Sequence, residues 1–170
     1  MAKLNKDIFK AYDIRGTYPD EFDENAAYLI ARAFAKALKA KTAVVGHDMR
    51  TSWGALMPEL VRGLHDSGVD VWDVGLVSTP LYYHCVNSLK GDVGLMLTAS
   101  HNPGQYNGLK PTGPDAIPSI AFVSNEDIWR MAEAEDFDTP AAKGKTLGQR
   151  DLLDEYVAKV IETIGVSSFG

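Results

Sequence analysis

The sequence predicts a layered α/β domain whose sheet is largely parallel, and three observations support this prediction. Apolar segments of strand length alternate along the chain with amphipathic segments of helix length, which is typical of parallel strands joined by crossover helices. The chain has 170 residues, a length typical of one domain. Hydrophobic residues make up 45% of it, which is enough for a substantial buried core.

The first helix and the first buried strand are expected in residues 23–45. Residues 23–40 carry apolar side chains at helical spacing, and Asp23 can cap the first turn by accepting a backbone hydrogen bond. Residues 42–45 predict a short buried strand, which ends at Gly46.

The second helix is expected to begin near Leu56, because a proline such as Pro58 is tolerated best in the first turn of a helix. It is expected to end at Ser67, since Gly68 can adopt the left-handed conformation that closes many helices. Residues 69–74 then predict the next strand.

The third helix and the strand after it lead into the most unusual segment of the chain. Pro80 fits the first position of a helix that continues to Leu89, because the first turn of a helix does not need its N–H groups. Residues 92–97 predict a buried strand, and the chain leaves this strand at residues 98–103.

Residues 104–118 contain three prolines and three glycines and therefore predict a loop. A short strand is expected around residues 108–110. Asn107 and Gly108 form a pair that favours a hairpin turn, which could fold Lys110 back over the preceding strand end.

Two helices and a second loop are expected in the rest of the chain. Ser124 can cap a helix over residues 125–135. Residues 136–148 are polar and predict a loop. Residues 151–164 predict an amphipathic helix, because their apolar side chains form one stripe along it.

The composition excludes some function classes. The net charge is −6 and the isoelectric point is about 5.1, so the chain lacks the basic field of a nucleic-acid binder. No run of 18 apolar residues predicts a membrane span, and the N-terminal residues do not resemble a signal peptide. The one cysteine, Cys85, lies in an apolar stretch and is expected to be buried, which is compatible with the cytoplasm.

Residues 98–103 carry the strongest candidate for chemistry. They place the hydroxyl of Ser100, the imidazole of His101 and the carboxamide of Asn102 directly after a buried strand, where parallel sheets bind their ligands. Backbone N–H groups of such a loop can face an anion. The residues alone also fit a simple Ser/Asn turn that is closed by Pro103.

Three other residues are candidates for phosphate chemistry. Arg15 precedes a glycine and could bind a phosphate through its planar guanidinium, although it could equally be a solvated turn residue. Lys110 could act as a general base if neighbouring cations and burial lower its pKa, although an exposed lysine is the simpler interpretation. Asp48 and Arg50 could pair to fix loops near the site. The Gly-x-Ser-x-Gly motif of hydrolases and the common nucleotide-binding motifs are absent.

Taken together, these segments resemble the α-D-phosphohexomutase superfamily. Within it, they look like the phosphomannomutase/phosphoglucomutase branch rather than the phosphoglucosamine branch. The resemblance extends over roughly the first two thirds of the chain, and its most specific motif is Thr-Ala-Ser-His-Asn-Pro. The matching segments are residues 9–16, 46–52, 73–75, 79–80, 98–103 and 106–110.

The resemblance implies a three-layer α/β/α domain with a mixed, largely parallel sheet that includes an antiparallel strand. Residues 1–164 would form the N-terminal domain that carries the phosphoserine loop, and residues 165–170 would be a linker toward a second domain. The chain would then be inactive on its own, because the metal loop, the sugar-specificity loop and the phosphate-clamping loop belong to later domains.

The resemblance also implies roles for individual residues. Ser100 carries a phosphoryl group, one oxygen of which binds Mg²⁺. Lys110 acts as general base or acid, and Arg15 and His101 position or polarise the transferring group. Tyr12 and Asn102 contact the substrate.

The implied reaction moves a phosphoryl group between O1 and O6 of a hexose. Its substrates are mannose or glucose 1- and 6-phosphates, with a hexose 1,6-bisphosphate as intermediate and activator. The expected partners are the remaining domains of a parent enzyme, and neither nucleic acid nor membrane. Two alternatives remain open, namely a phosphosugar-binding or regulatory module without turnover, and a structural domain used for assembly.

Overall fold

A six-stranded sheet between two helical layers forms the protein, whose computed structural model describes residues 4–165. Three short 3₁₀ helices accompany these elements, at Lys6–Ile8, Pro114–Ala116 and Ser119–Ala121. The strands are β1 (Ile14–Thr17), β2 (Thr42–His47), β3 (Asp70–Leu76), β4 (Val93–Leu97), β5 (Tyr106–Thr112) and β6 (Thr146–Gln149). The helices are α1 (Glu24–Ala37), α2 (Trp53–Asp66), α3 (Thr79–Ser88), α4 (Asn125–Glu133) and α5 (Leu153–Ile164).

The sheet is mixed, with strand order β1-β5-β4-β2-β3-β6. Strands β4, β2, β3 and β6 run parallel to one another, whereas β5 is antiparallel to both of its neighbours, β4 and β1. The carboxyl ends of β2, β3 and β4 therefore meet at one edge of the sheet. The predicted fold class is confirmed.

The two faces of the sheet bury different helices. Helices α1, α2 and α4 cover one face, where Ile30, Phe34 and Leu60 are fully buried. Helix α3 covers the other face with Tyr82 and Cys85, and α5 packs beside it. Burial raises the pKa of the Cys85 thiol to about 11, so this cysteine remains a neutral apolar group, as predicted.

The predicted capping residues begin their helices. The Asp23 side chain accepts a hydrogen bond from the backbone N–H of Ala26 at 2.7 Å. The Ser124 side chain accepts one from Asp127 at 3.1 Å. Both caps satisfy N–H groups that the first turn of a helix leaves without a partner.

Helix α2 begins at Trp53, so the expected start near Leu56 is wrong by almost one turn. Its first turn is closed partly by hydrogen bonds of 3₁₀ type, such as that from Ala55 to Ser52. Pro58 lies inside the helix, where it cannot donate to the carbonyl of Gly54. Gly54 is exposed, so water can replace that missing donor.

Strand β5 is longer than the short strand expected within a loop. Asn107 and Gly108 do not form a hairpin turn but pair with β1 inside the sheet. A Cβ atom on Gly108 would lie 1.9 Å from the carbonyl oxygen of Ile14, so this glycine allows a close approach of two strands. Pro111 lies beyond the last residue that pairs with β1, and its missing N–H faces away from β4, so no ladder bond is lost.

Two expectations for the C-terminal part need correction. Residues 136–148 are not wholly loop, because β6 adds a half-exposed parallel edge strand beside β3. Helix α5 starts at Leu153 rather than Asp151. Leu152 and Tyr156 of its apolar stripe are half-buried against the cluster on α3, whereas Leu153 is 49% and Ile164 62% exposed. Residues 166–170 of the expected linker lie outside the described residues. In the described part of the chain, no helix is both long and apolar enough to cross a membrane.

Candidate active site

Two neighbouring parallel strands bring the motifs of residues 46–52 and 98–103 together. Asp48 follows β2 and Thr98 follows β4, and the backbone N–H of Asp48 donates to the carbonyl of Leu97 at 3.0 Å. The Thr98 hydroxyl donates to the Asp48 carboxylate at 2.7 Å. Arg50 forms an ion pair with the same carboxylate at 3.1 Å, so the expected pairing of Asp48 with Arg50 is present.

Ser100 stands at the start of the loop between β4 and β5. Its backbone has a φ of 57°, in the left-handed region that serine seldom adopts. Its N–H donates to the Thr98 hydroxyl at 3.0 Å. Its Oγ lies 3.1 Å from Nδ1 of His101, and both side chains are exposed. The structure therefore brings a hydroxyl and an imidazole into hydrogen-bond contact, in reach of a ligand.

A cavity of about 450 Å³ opens beside Ser100 at the carboxyl edge of the sheet. Ser78 and Thr79, at the start of α3, also line it, and the N-terminal end of a helix favours negative charge. Apolar side chains such as Met96 and Leu76 form much of its wall. The cavity can thus accept a polar ligand with an anionic group beside Ser100.

Arg15 reaches the same loop from β1. Its Nε donates to the Asp13 carboxylate at 2.9 Å, and its Nη1 lies 3.4 Å from Oδ1 of Asn102. Asp13 is a further functional residue, which the sequence alone does not single out although it lies inside the motif that carries Arg15. Its buried carboxylate fixes the guanidinium and offsets part of its charge.

Neither Lys110 nor Tyr12 is among the residues that line the cavity, although Lys110 lies on the same face of the sheet. Lys110 pairs with Met96 across β4 and β5, and cross-strand partners project on the same face, which is the face of the cavity. Its carbonyl accepts a hydrogen bond from the hydroxyl of buried Tyr82 at 3.2 Å. Tyr12 is 75% exposed on the turn before β1 and does not line the cavity.

The residues present offer Mg²⁺ few ligands. Across residues 4–165, no group of three or more His, Cys, Asp or Glu side chains is arranged to hold a metal ion. Asp48 supplies a carboxylate to the lining of the cavity, and this carboxylate already accepts hydrogen bonds from Arg50 and Thr98. A phosphate on Ser100 would fit as one oxygen ligand of this hard cation.

Comparisons with known proteins agree on one family. The family described as phosphoglucomutase/phosphomannomutase, alpha/beta/alpha domain I, matches residues 6–139. A phosphomannomutase of Salmonella typhimurium is 41% identical over 99% of this chain. A phosphomannomutase of Klebsiella pneumoniae is 44% identical over 88% of this chain. A solved phosphoglucomutase/phosphomannomutase family protein of Burkholderia thailandensis superposes on 94% of this chain with a TM-score of 0.80 and 32% identity.

The extent of these matches differs between relatives. The chain spans 37% of the Salmonella protein and 36% of the Burkholderia chain, whereas it spans 96% of the Klebsiella protein. The matched region includes β1, the segment after β2 and the loop that carries Ser100. The chain belongs to the phosphoglucomutase/phosphomannomutase family, of which it carries the α/β/α domain I.

Proposed function

We propose that this chain is the phosphoserine-bearing domain of a phosphomannomutase/phosphoglucomutase, which moves a phosphoryl group between O1 and O6 of a hexose. The observation that carries the proposal is the placement of Ser100. Its Oγ stands beside the cavity at the carboxyl edge of the sheet, 3.1 Å from an imidazole nitrogen, in a chain of this family.

The proposed reaction has two balanced transfers. In the first, the bond between Ser100 Oγ and phosphorus breaks and a bond from a hexose hydroxyl oxygen to phosphorus forms, while the hydroxyl proton passes through a base to the freed Ser100 Oγ. The sugar is then a bisphosphate. In the second, the bond between the other phosphate and its sugar oxygen breaks and Ser100 Oγ takes up that phosphorus, while the serine proton passes back to the freed sugar oxygen. Lys110 is the proposed proton carrier, which its projection on the cavity face supports.

Charge stabilisation is the main task of the other residues, since phosphoryl transfer depends chiefly on positioning and electrostatics. Arg15 and His101 are proposed to orient the transferring group. Asn102 and Tyr12 are proposed to contact the sugar, and the contact of Asn102 with Arg15 supports a shared role. Mg²⁺, held in part by the phosphate on Ser100, would offset the negative charge of that phosphate.

We also propose that residues 1–164 are the first domain of a longer parent enzyme, joined to the next domain by residues 165–170. The exposed apolar side chains of α5, among them Leu153 and Val157, support a contact with further domains. A hexose phosphate would be the substrate and a hexose 1,6-bisphosphate the activator. The proposed location is the cytoplasm, with which a single buried free cysteine is compatible.

The decisive experiment replaces Ser100 by alanine in the parent enzyme and measures conversion of mannose or glucose 1-phosphate with Mg²⁺ and a hexose 1,6-bisphosphate. Turnover is expected to be lost, because the oxygen that accepts phosphorus is gone. Intact-protein mass spectrometry of the unsubstituted enzyme should show a phosphate adduct that maps to Ser100. Full turnover of Ser100→Ala would refute the proposal, and absence of the adduct would favour a binding or regulatory module instead.

The 170-residue chain by itself is expected to show no mutase turnover under the same conditions. Its described residues do not supply a set of metal ligands, and the proposed sugar contacts of later domains are missing. The measured rate of sugar-phosphate conversion should therefore equal that of a blank without protein. Robust turnover by this chain would contradict the proposed dependence on further domains.

A further inference from the structure

Arg50 uses all of its side-chain hydrogen-bond donors on the protein. A guanidinium has five N–H groups. The Nε of Arg50 donates to Asp48, and its four remaining N–H groups have carbonyl oxygens of the β4–β5 loop and of the first residue of β5 as partners. These partners are Ser100 at 3.0 Å and Asn102 at 2.7 Å from Nη2, and Pro103 at 2.7 Å and Tyr106 at 2.9 Å from Nη1.

These contacts close a ring of hydrogen bonds around the backbone of Ser100. Its carbonyl accepts from Arg50, and its N–H donates to Thr98. The Thr98 hydroxyl donates to Asp48, which in turn accepts from Arg50. Both backbone polar groups of Ser100 are thereby fixed, which accounts for a φ of 57° at a residue other than glycine.

The same contacts shape the electrostatics of the loop. Carbonyl oxygens carry partial negative charge and would repel a phosphate. Because C=O and N–H of a trans peptide point in opposite directions, holding the carbonyls of Ser100 and Pro103 turns the N–H groups of His101 and Gly104 away from the guanidinium. The Arg50 side chain is only 8% exposed, so its charge acts in a partly desolvated setting.

We propose that Arg50 is a positioning residue for phosphoryl transfer at Ser100, an inference that rests on the function proposed above. It contacts neither sugar nor phosphate and acts by holding the loop in the reactive geometry. A lysine cannot replace it, because an ammonium has three donors at one point, whereas these acceptors lie on several sides of a planar fork.

The test compares Arg50→Lys with Arg130→Lys in the parent enzyme, because Arg130 is an exposed arginine on α4 and serves as the matched control. For each variant, kcat, KM for the hexose phosphate and the melting temperature are measured. We expect Arg50→Lys to lower kcat by about 10- to 100-fold, in line with the cost of small misplacements at reacting groups, with KM within about threefold. Arg130→Lys should change neither constant.

A second variant, Thr98→Val, removes a different member of the ring while conserving shape, and it decides the question if Arg50→Lys does not fold. It should also lower kcat at nearly constant KM. If both single variants fold, the double variant should lose less than the product of the two single losses, because they disrupt one unit.

Each result has a defined meaning. If Arg50→Lys, or Thr98→Val in its place, keeps kcat within about twofold while Ser100→Ala is inactive, the positioning role is overturned and the proposed function stands. The same holds if the loss of rate only follows a loss of folded protein at the assay temperature. Full activity of Ser100→Ala would instead overturn the proposed function.

Discussion

Ser100 shows how a single residue can be held in a costly conformation by its neighbours. A left-handed backbone costs a residue with a Cβ atom about 1 kcal/mol or more. Hydrogen bonds to the N–H and to the carbonyl of Ser100 offset that cost. The side chain is thus presented from a rigid backbone, which suits a group that must meet a ligand at a fixed distance.

Tyr82 offers a second test at the scale of one residue. Its buried hydroxyl lies 3.1 Å from that of Thr112 and donates to the carbonyl of Lys110, and burial strongly raises its pKa, so it stays neutral. Tyr82→Phe should lower the free energy of unfolding by about 1–2 kcal/mol, because buried acceptors lose their donor. Urea denaturation would measure this loss.

The matched control for Tyr82 is the next residue in the chain. Tyr83 is only partly buried and packs against the same cluster, so Tyr83→Phe should leave the free energy of unfolding within about 0.5 kcal/mol of the unsubstituted value. Equal effects of the two substitutions would contradict the role given to the Tyr82 hydroxyl.

At the scale of elements, the pairing of β1 with β5 depends on the absence of a side chain. Gly108→Ala would place a methyl group 1.9 Å from the carbonyl oxygen of Ile14. We expect a loss of at least about 2 kcal/mol in the free energy of unfolding, because backbone atoms on both strands must move apart. Thermal or urea unfolding of the 170-residue chain would show it.

The same substitution at another glycine provides the control. A Cβ atom on Gly54, in the first turn of α2, would meet nothing within 4 Å. Gly54→Ala should therefore leave stability unchanged or raise it by up to about 1 kcal/mol, since alanine favours helix. A Gly108→Ala variant as stable as Gly54→Ala would show that β1 and β5 do not approach as closely as described.

The helices were largely predictable, because their signals are local. Asp23 and Ser124 cap the helices that the sequence predicts, and apolar spacing identifies the buried faces. Strands β1 and β6 and most of β5 were not predicted from the sequence, because these segments become strands through pairing with partner strands. Gly108 pairs with Arg15 of β1 and lies against the carbonyl of Ile14, and β6 is a half-exposed edge strand without apolar alternation.

The candidate site was predictable in part, because some of its contacts join residues that are adjacent or nearly adjacent in the sequence. Ser100 and His101 are adjacent in sequence and in space, and the pairing of Asp48 with Arg50 is equally local. The contacts of Arg50 with Ser100 and Asn102 join residues that are 50 and 52 positions apart in the sequence. They require the parallel pairing of β2 with β4. No local sequence pattern predicts contacts between residues so far apart.

At the scale of the whole molecule, Asp66 links elements that are distant in sequence. It lies at the end of α2 and contacts Lys143 at 2.6 Å and the hydroxyl of Tyr28 on α1 at 3.0 Å. The close contact with the Lys143 ammonium is the main reason why the pKa of Asp66 lies below its ordinary value of 3.8, against the opposing effect of burial. The charged form is therefore the one that stabilises the fold.

The lowered pKa of Asp66 determines how the stability of the fold depends on pH. A lowered pKa in the folded state contributes stability above the unfolded pKa, and this contribution is lost as pH falls through the folded pKa. Asp66→Asn should lower the free energy of unfolding at pH 7 by about 1.5 kcal/mol, and the difference from the unsubstituted chain should shrink below a pH of about 4. Asp20→Asn, at an exposed site, is the control and should have no effect.

The loop between β4 and β5 leaves the sheet and returns to it at the same edge. The Arg50 guanidinium donates hydrogen bonds to four carbonyl oxygens of this loop and of the first residue of β5. The spacing of those oxygens along the chain is therefore fixed to the residue. Adding or removing one residue between positions 100 and 106 would put the later oxygens out of register with the Arg50 guanidinium. In this stretch, the length of the chain is therefore constrained independently of the side chains that it carries.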